Sequence, residues 1–236
     1  MIIQSTPTSA PGGCDAIFRW KQGGNIMNVY DFDGTIFYSD CSIGFALWCM
    51  KRQPKLWFTF FPGMMKTLVL HKMGKLPNYK LQRKMFSVLT MVDDLYEQIE
   101  RYWDKYENRI SSWYLAQKKP DDLIISASPE CLIGPIAKRL GVNYMATEYD
   151  TEYGIFLNNL MYAKEKAKYI FDHGFPMIDN FYSDSLADTP LALCAEKAHL
   201  VTNHASTVID WPELDENTMS KVKEKIDTGW NIHLKE

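Results

Sequence analysis

The sequence predicts an α/β protein with a doubly wound, parallel, Rossmann-like sheet and a helical cap domain inserted after the first strand. Short apolar segments without alternation are typical of strands that are buried on both faces of a parallel sheet. These segments alternate with helical ones, which is the pattern of β-α-β units. The chain between Thr35 and Ser126 is much longer than the roughly 30 residues that one such unit needs, so a second module is expected there.

The elements of the core follow from local signals along the chain. Ser128 is the expected N-cap of a helix whose first position is Pro129 and whose first turn contains Glu130. This helix is expected to run to about Leu140 and to stop at Gly141, with a kink at Pro135. The expected strands are 28–30, 123–128, 180–184 and a last short one at 199–202, and the other helices are 164–172 and 191–197. In such sheets ligands bind at the carboxyl ends of the strands. Asp31, Ser126 and Asp184 are therefore expected at one edge.

The chain is expected to divide into four parts. Residues 1–26 are rich in Ser, Thr, Pro and Gly and show no periodicity, which is typical of a poorly ordered extension. The cap contains, for example, a helix expected over 93–113. The other parts are the core, 27–37 with 115–212, the cap, 38–114, and a partly helical C-terminal tail, 213–236.

Composition indicates where in the cell the protein is expected and which partners are unexpected. The sequence shows neither a secretory signal nor an apolar segment long enough to span a membrane. Its five cysteines are scattered, which is typical of free thiols in a reducing compartment, so a cytoplasmic location is expected. The formal net charge of −3 and the lack of a base-recognition motif argue against nucleic acid as a partner.

Asp31 and Asp33 form the most informative motif. They lie two residues apart at a strand end, where their carboxylates repel each other unless a cation is present. Mg²⁺, which prefers oxygen ligands, is the natural cation for such a pair. The alternative is an acidic turn in which Gly34 supplies a positive φ angle.

The sequence resembles the haloacid dehalogenase superfamily of hydrolases, in its phosphoserine-phosphatase-like branch with a helical cap (subfamily IB). The four motifs that carry the resemblance are DFDGT at 31–35, Ser126 within LIISASPE, Lys166 within AKEKAKYI, and Asp184 with Asp188 in YSDSLAD. They occur in the family's order over residues 27–205. The resemblance implies a phosphatase that uses an aspartyl-phosphate intermediate.

The resemblance also implies roles for single residues. Asp31 is the expected nucleophile, Asp33 the general acid and base, Ser126 a phosphoryl ligand and Lys166 a charge neutraliser. The expected Mg²⁺ ligands are Asp31, the backbone carbonyl of Asp33, Asp184 and Asp188, and the expected substrate-binding residues are Gly34, Thr35, Ala127, Ser128 and Ser185. Lys164 and Lys168 compete with Lys166, and Asp188 alternatively stabilises a helix N-terminus.

Residues 41–92 of the cap carry an unusual charge pattern. They contain nine Lys or Arg, no Asp or Glu, and the aromatic sequence LWFTFF at 56–61. Basic residues around an aromatic surface are typical of segments that lie on an anionic membrane. These aromatic residues cannot share one helix face, which argues against a plain amphipathic core helix and allows an exposed or membrane-inserting loop at Pro62-Gly63. Alternatively, the apolar residues form the cap's own core and the charges attract a soluble anion.

Together these features predict a Mg²⁺-dependent phosphomonoester hydrolase. The aromatic, basic cap resembles that of phosphatidylglycerophosphatase-C-like enzymes, which implies a phospholipid headgroup phosphate as the substrate and a membrane-surface location. The alternatives are a soluble phosphatase of phosphoserine-phosphatase type and, more remotely, a non-enzymatic protein that binds a phosphate ligand.

Overall fold

The computed structural model describes residues 27–174 and 177–220. The extension expected at 1–26 lies outside the described residues, as does the tail beyond 220. Within the described part of the tail, residues 216–220 are helical.

A six-stranded, mainly parallel sheet forms the centre of the fold, which confirms the predicted fold class. The strands are β1 (Met27–Tyr30), β2 (Leu123–Pro129), β3 (Asn143–Thr147), β6 (Ile178–Ser183), β7 (Ala195–Thr202) and β8 (Thr207–Asp210), with a hairpin of β4 (Tyr149–Asp150) and β5 (Ile155–Phe156) outside the sheet. The strand order is β3-β2-β1-β6-β7-β8, and only the β7–β8 pairing within this sheet is antiparallel. β1 therefore lies between β2 and β6, where its carboxyl end meets theirs.

Helices fill the chain between β1 and β2, in keeping with the predicted insertion. They are α1 (Cys41–Arg52), α2 (Leu56–Thr59), α3 (Phe61–Lys72), α4 (Asn78–Phe86), α5 (Leu95–Tyr106) and α6 (Ser112–Gln117). Those after β2 are α7 (Glu130–Leu140), α8 (Lys164–Asp172) and α9 (Thr189–Ala192). One apolar cluster joins Phe45 of α1 and Trp103 of α5 to Ile124 of β2, so the inserted helices pack on the sheet.

Several local predictions agree with the structure. α7 ends at Gly141, which adopts φ +69°, and α8 has the predicted bounds. Ser128 is not the N-cap of α7, however, because β2 continues to Pro129, which occupies that position. The Ser128 hydroxyl instead bonds the Asp33 carboxylate.

Two predicted helices end earlier in the structure than the sequence predicts. The helix expected over 93–113 breaks at residues 107–109, because Ile110 and Ser111 pair with the loop after β1. The helix expected over 191–197 ends at Ala192, since the following residues pair with β6 as strand β7. Strand pairing here outweighs the weak local preference for a helix. The strand expected at 199–202 is part of β7, and β8 follows it as a further strand.

The structure also contradicts the loop expected at Pro62-Gly63. Both residues lie in the first turn of α3, where proline is well tolerated. The aromatic segment instead spans α2 and the start of α3, with Phe60 between the two helices. Leu56 and Phe60 are buried, whereas Phe58 is 82% exposed.

In the described part of the chain, no helix has both the length and the apolar character that a membrane span needs.

Candidate active site

The turn after β1 places Asp31 at the centre of the site. Phe32 is fully buried, and its carbonyl accepts the backbone N–H groups of Ile36 and Phe37, which folds the chain back on itself. Gly34 allows this turn because it adopts φ +76°, a conformation that glycine takes at little cost. A Cβ atom at Gly34 would also collide with the Asp184 carboxylate, with the Cγ atom only 2.8 Å away.

Thr35 ties this turn to the loop after β6. Its hydroxyl donates to Asp31 Oδ2 at 3.2 Å and accepts the backbone N–H of Asp184 at 2.9 Å. Thr35 is completely buried, so water does not compete for these bonds. The hydroxyl therefore fixes the carboxylate of Asp31 relative to the backbone of Asp184.

Lys166 supplies a buried positive charge to the site. Its Nζ atom donates to Asp31 Oδ1 at 2.6 Å and to Asp188 Oδ2 at 2.7 Å, and the residue is 2% exposed. Burial alone would lower the pKa of Lys166, but Asp188 and Asp31 outweigh it and raise the pKa above its usual value. The lysine is therefore a fixed cation beside Asp31. Lys168 is exposed, and Lys164 is half-buried.

Asp33 is held at both of its oxygens. Oδ1 accepts the backbone N–H of Cys41 at 2.6 Å, and Oδ2 accepts the hydroxyl of Ser128 at 2.5 Å. Burial, with a smaller contribution from Asp40, raises the pKa of Asp33 to about 8 despite these bonds. A carboxyl group with such a pKa carries a proton at neutral pH and can donate it to a leaving group.

These residues line one cavity of about 280 Å³ between the carboxyl edge of the sheet and the inserted helices. Nine of the predicted site residues line it, namely Asp31, Asp33, Ser126, Ala127, Ser128, Lys166, Asp184, Ser185 and Asp188. Gly34 and Thr35 support the site from the turn beneath it. Ser126 is buried, and its hydroxyl accepts the N–H of Ser128 at 3.1 Å. Ser185 caps the short turn that leads to Asp188.

The donor set of the cavity is compatible with Mg²⁺. Mg²⁺ in proteins often takes one or two carboxylates and fills its remaining positions with water, carbonyl oxygens and substrate phosphate. Asp31 and Asp184, which both line the cavity, would supply two carboxylates, and the Asp33 carbonyl would supply a third oxygen. Asp188 is 1% exposed, and its Oδ1 atom has no hydrogen-bond partner among the described residues, so it retains an acceptor for a bound water. No three His, Cys, Asp or Glu side chains of the described chain converge as a ready-made metal cluster.

The sequence does not predict which residues of the inserted helices line the cavity. Asp40 and Ser42 come from the start of α1, Gln82, Met85 and Phe86 from α4, and Tyr162 from the loop before α8. The spacing of Gln82, Met85 and Phe86 predicts a common helix face. Nothing in the sequence indicates that this face meets the site.

The fold and the site together define a hydrolase-like α/β protein whose paired aspartates lie under a helical cover. The model of one protein family, described as haloacid dehalogenase-like hydrolase, matches residues 29–193. The chain belongs to this family, which confirms the resemblance to the haloacid dehalogenase superfamily and makes it an enzyme of the hydrolase class.

Solved structures with the same fold share little sequence with this chain. A protein of unknown function from Bordetella pertussis Tohama I has a TM-score of 0.61 at 16% identity, covering 86% of this chain and 97% of its own. A phosphoserine phosphohydrolase-like protein from Francisella tularensis subsp. tularensis SCHU S4 has a TM-score of 0.51 at 16% identity, covering 76% and 88%. A HAD family hydrolase from Salmonella enterica subsp. enterica serovar Typhi has a TM-score of 0.51 at 14% identity, covering 72% and 59%. The search of curated proteins found no match to this chain.

Proposed function

We propose that the protein is a Mg²⁺-dependent phosphomonoester hydrolase that acts through an aspartyl-phosphate on Asp31. One observation carries the proposal: buried Lys166 holds Asp31 in the cavity where Asp33, with a pKa of about 8, faces the same space. A fixed cation beside a nucleophilic carboxylate and a protonated second carboxyl suit phosphoryl transfer from an alcohol. Membership in a hydrolase family supports the same conclusion.

The reaction proceeds in two balanced steps. A carboxylate oxygen of Asp31 forms a bond to phosphorus, the phosphorus–oxygen bond of the ester breaks, and Asp33 gives its proton to the departing alkoxide. Water then attacks the phosphorus of the acyl phosphate and transfers a proton to Asp33. The bond between phosphorus and Asp31 breaks, which releases inorganic phosphate and restores both carboxyl groups.

The other residues bind and neutralise the phosphoryl group. Lys166 offsets its negative charge, and Ser126 donates a hydrogen bond to one of its oxygens, near the start of α7. Ala127, Ser128 and Ser185 line the space that the phosphoryl group occupies. Mg²⁺, held by Asp31, Asp184 and the Asp33 carbonyl with Asp188 nearby, would neutralise phosphoryl charge and orient the ester for in-line attack.

Phosphate release from p-nitrophenyl phosphate tests this proposal. The Asp31→Asn variant should lose at least about 10³-fold in kcat because its side chain no longer provides the nucleophile. Removing Mg²⁺ with EDTA should abolish the wild-type activity, and adding it back should restore it. The control is Asp172→Asn, an exposed aspartate at the end of α8. Full activity of Asp31→Asn, or none in the wild type with any divalent metal, would contradict the proposal.

We further infer that the substrate is a phospholipid headgroup phosphate, such as phosphatidylglycerophosphate, reached from the cytoplasmic membrane surface. No residue of α3 is fully buried, and only its Phe61 and Met64 are among the partly buried side chains that pack against the core cluster in the described chain. Met65, Val69 and Met73 lie four residues apart, and they are 40%, 51% and 57% exposed. Spacing of four residues aligns them as one apolar stripe. Exposed Lys66, Lys72 and Lys75 flank the stripe in the sequence.

This surface has the chemistry of an interfacial segment. Exposed apolar side chains partition into the acyl boundary, while the lysines attract anionic headgroups. Residues 41–92 contain no acidic residue that would oppose this attraction.

The four described cysteines are free, which fits a reducing cytoplasm.

Sedimentation with vesicles tests the membrane contact. The wild type should bind phosphatidylglycerol-rich vesicles at low salt, and binding should weaken at high salt because the Debye length shortens. Phe58→Ser should weaken binding about tenfold, since Phe58 is 82% exposed on α2, which directly precedes α3 in the chain. Phe171→Ser is the matched control, because Phe171 is 85% exposed on α8. Failure of the wild type to bind at low salt would favour the soluble phosphatase instead.

A further inference from the structure

Tyr162 brings an accessible hydroxyl group to the catalytic cavity. The residue lies in the loop before α8, lines the cavity and is half-buried. Its hydroxyl has no hydrogen-bond partner among the described residues, and it is not one of the unpaired atoms that solvent cannot reach. In the described chain the unpaired hydroxyls of Tyr114 and Tyr149, in contrast, are closed to solvent. Tyr162 therefore retains a donor that is open to a ligand.

This hydroxyl lies beside the groups that surround the nucleophile. Burial raises the pKa of Tyr162 to about 12, so the hydroxyl keeps its proton at neutral pH. The charged side chains that affect it most line the same cavity, and they are, in decreasing order, Asp188, Lys166, Asp31 and Asp184. The strongest charge acting on Asp33 is instead that of Asp40, the N-cap of α1. The Tyr162 hydroxyl is thus on the Asp31 side of the cavity, where the phosphoryl group would be bound.

The loop that carries Tyr162 is anchored on both sides. The backbone N–H of Met161 donates to Thr147 Oγ1 at 3.1 Å, and this hydroxyl donates to the carbonyl of Ala127 on the cavity wall at 2.8 Å. On the other side, Ala163 is completely buried and has φ +51°, a conformation that favours glycine. Such backbone strain persists where the surrounding structure enforces it, and it is concentrated at functional sites.

The phosphoryl group offers acceptors for the free donor. In phosphoryl transfer, negative charge is spread over three non-bridging oxygens. Lys166 neutralises part of this charge, but its Nζ atom already donates to Asp31 and to Asp188. A neutral hydroxyl on the same side of the cavity adds a hydrogen bond to the phosphoryl group without placing a second charge beside the buried lysine.

We propose that the Tyr162 hydroxyl donates a hydrogen bond to a non-bridging oxygen of the phosphoryl group. The inference rests on the proposed phosphatase function and adds to it a further residue that contacts the reacting group. Because the anchored loop fixes the backbone of Tyr162, the donor needs little reorganisation as charge develops on the phosphoryl oxygens. Tyr162 is in this account a catalytic residue.

Calorimetric titration with inorganic phosphate tests this contact without turnover. At saturating Mg²⁺, the Kd of Tyr162→Phe should be at least about tenfold that of the wild type, the value of one hydrogen bond to a charged group. The kcat/KM for p-nitrophenyl phosphate should fall by about 10- to 100-fold. The midpoint of urea denaturation should not fall, because the hydroxyl has no partner among the described residues.

Tyr149→Phe is the matched control. Its hydroxyl is also without a partner in the described chain, but it is closed to solvent, and Tyr149 does not line the cavity. This substitution should leave both the Kd of phosphate and the kcat/KM unchanged.

Three results would overturn the inference. The first is a Tyr162→Phe variant with unchanged phosphate affinity and unchanged kcat/KM. The second is a higher Mg²⁺ requirement at unchanged phosphate affinity, which would place the hydroxyl on a metal-bound water. The third is a lowered urea midpoint, which would indicate a structural role. Each of these, with the wild type still active, would refute the role of Tyr162 alone, whereas a wild type that is inactive with every divalent metal would refute the phosphatase proposal.

Discussion

Single side chains fix the position of the Asp33 carboxyl group. The Ser128 hydroxyl bonds its Oδ2 atom, and Ser42 Oγ lies 2.9 Å from Ser128 Oγ, which connects helix α1 to the acid. The sequence predicts that Ser128 is a substrate-binding residue and a helix N-cap. Under the proposed mechanism, its contact with Asp33 also makes it a positioning residue, because this bond orients the carboxyl group that delivers the proton.

Ser128→Ala should therefore impair the substrates that need protonation most. Alkyl phosphates have poor leaving groups that depend on a general acid, an effect of about 10²–10⁴-fold, whereas p-nitrophenolate leaves without one. We expect kcat to fall much more for an alkyl ester than for p-nitrophenyl phosphate, and Ser128→Thr should rescue part of the loss. An equal decrease for both substrates would indicate that Ser128 acts on phosphate binding or on folding.

At the scale of elements, the site depends on how the loops after β1 and β6 meet. Gly34 brings the first loop so close to Asp184 that a side chain cannot fit, and Thr35 bonds both loops. The DFDGT sequence predicted this turn because its glycine and its acids follow a buried strand. It could not predict the contact with Asp184, which depends on the pairing of β1 with β6.

Gly34→Ala should destabilise the fold and disrupt the site. The positive φ angle alone costs about 1 kcal/mol for alanine, and the collision with the Asp184 carboxylate adds to it. Gly141→Ala is the control, since Gly141 has φ +69° and no neighbouring atom within 4 Å of its added Cβ. Urea denaturation should show a larger loss for Gly34→Ala, and phosphatase activity should fall in that variant alone. Equal stability and activity of both variants would contradict the proposed close approach.

At the scale of the whole molecule, the sequence predicts the residues that the sheet contributes to the cavity better than those that the inserted helices contribute. Asp31, Lys166 and Asp184 can be predicted because each lies in a short motif next to a strand or helix that the neighbouring residues already indicate. Gln82 and Phe86 depend on how α4 packs over the sheet, and no local pattern encodes that orientation. Strands β3 and β8 are not predicted from the sequence for a similar reason. They form by pairing with β2 and β7, and that pairing depends on the whole fold.

The covalent intermediate on Asp31 is the central claim, and chemical trapping tests it most directly. The wild-type enzyme is mixed with Mg²⁺ and p-nitrophenyl phosphate, quenched in acid during turnover and reduced with borohydride, which converts an aspartyl-phosphate to homoserine. Peptide mass spectrometry should find homoserine at position 31, only with substrate present, and none in Asp31→Asn. Homoserine at another aspartate, or turnover without any homoserine in the wild type, would contradict the account.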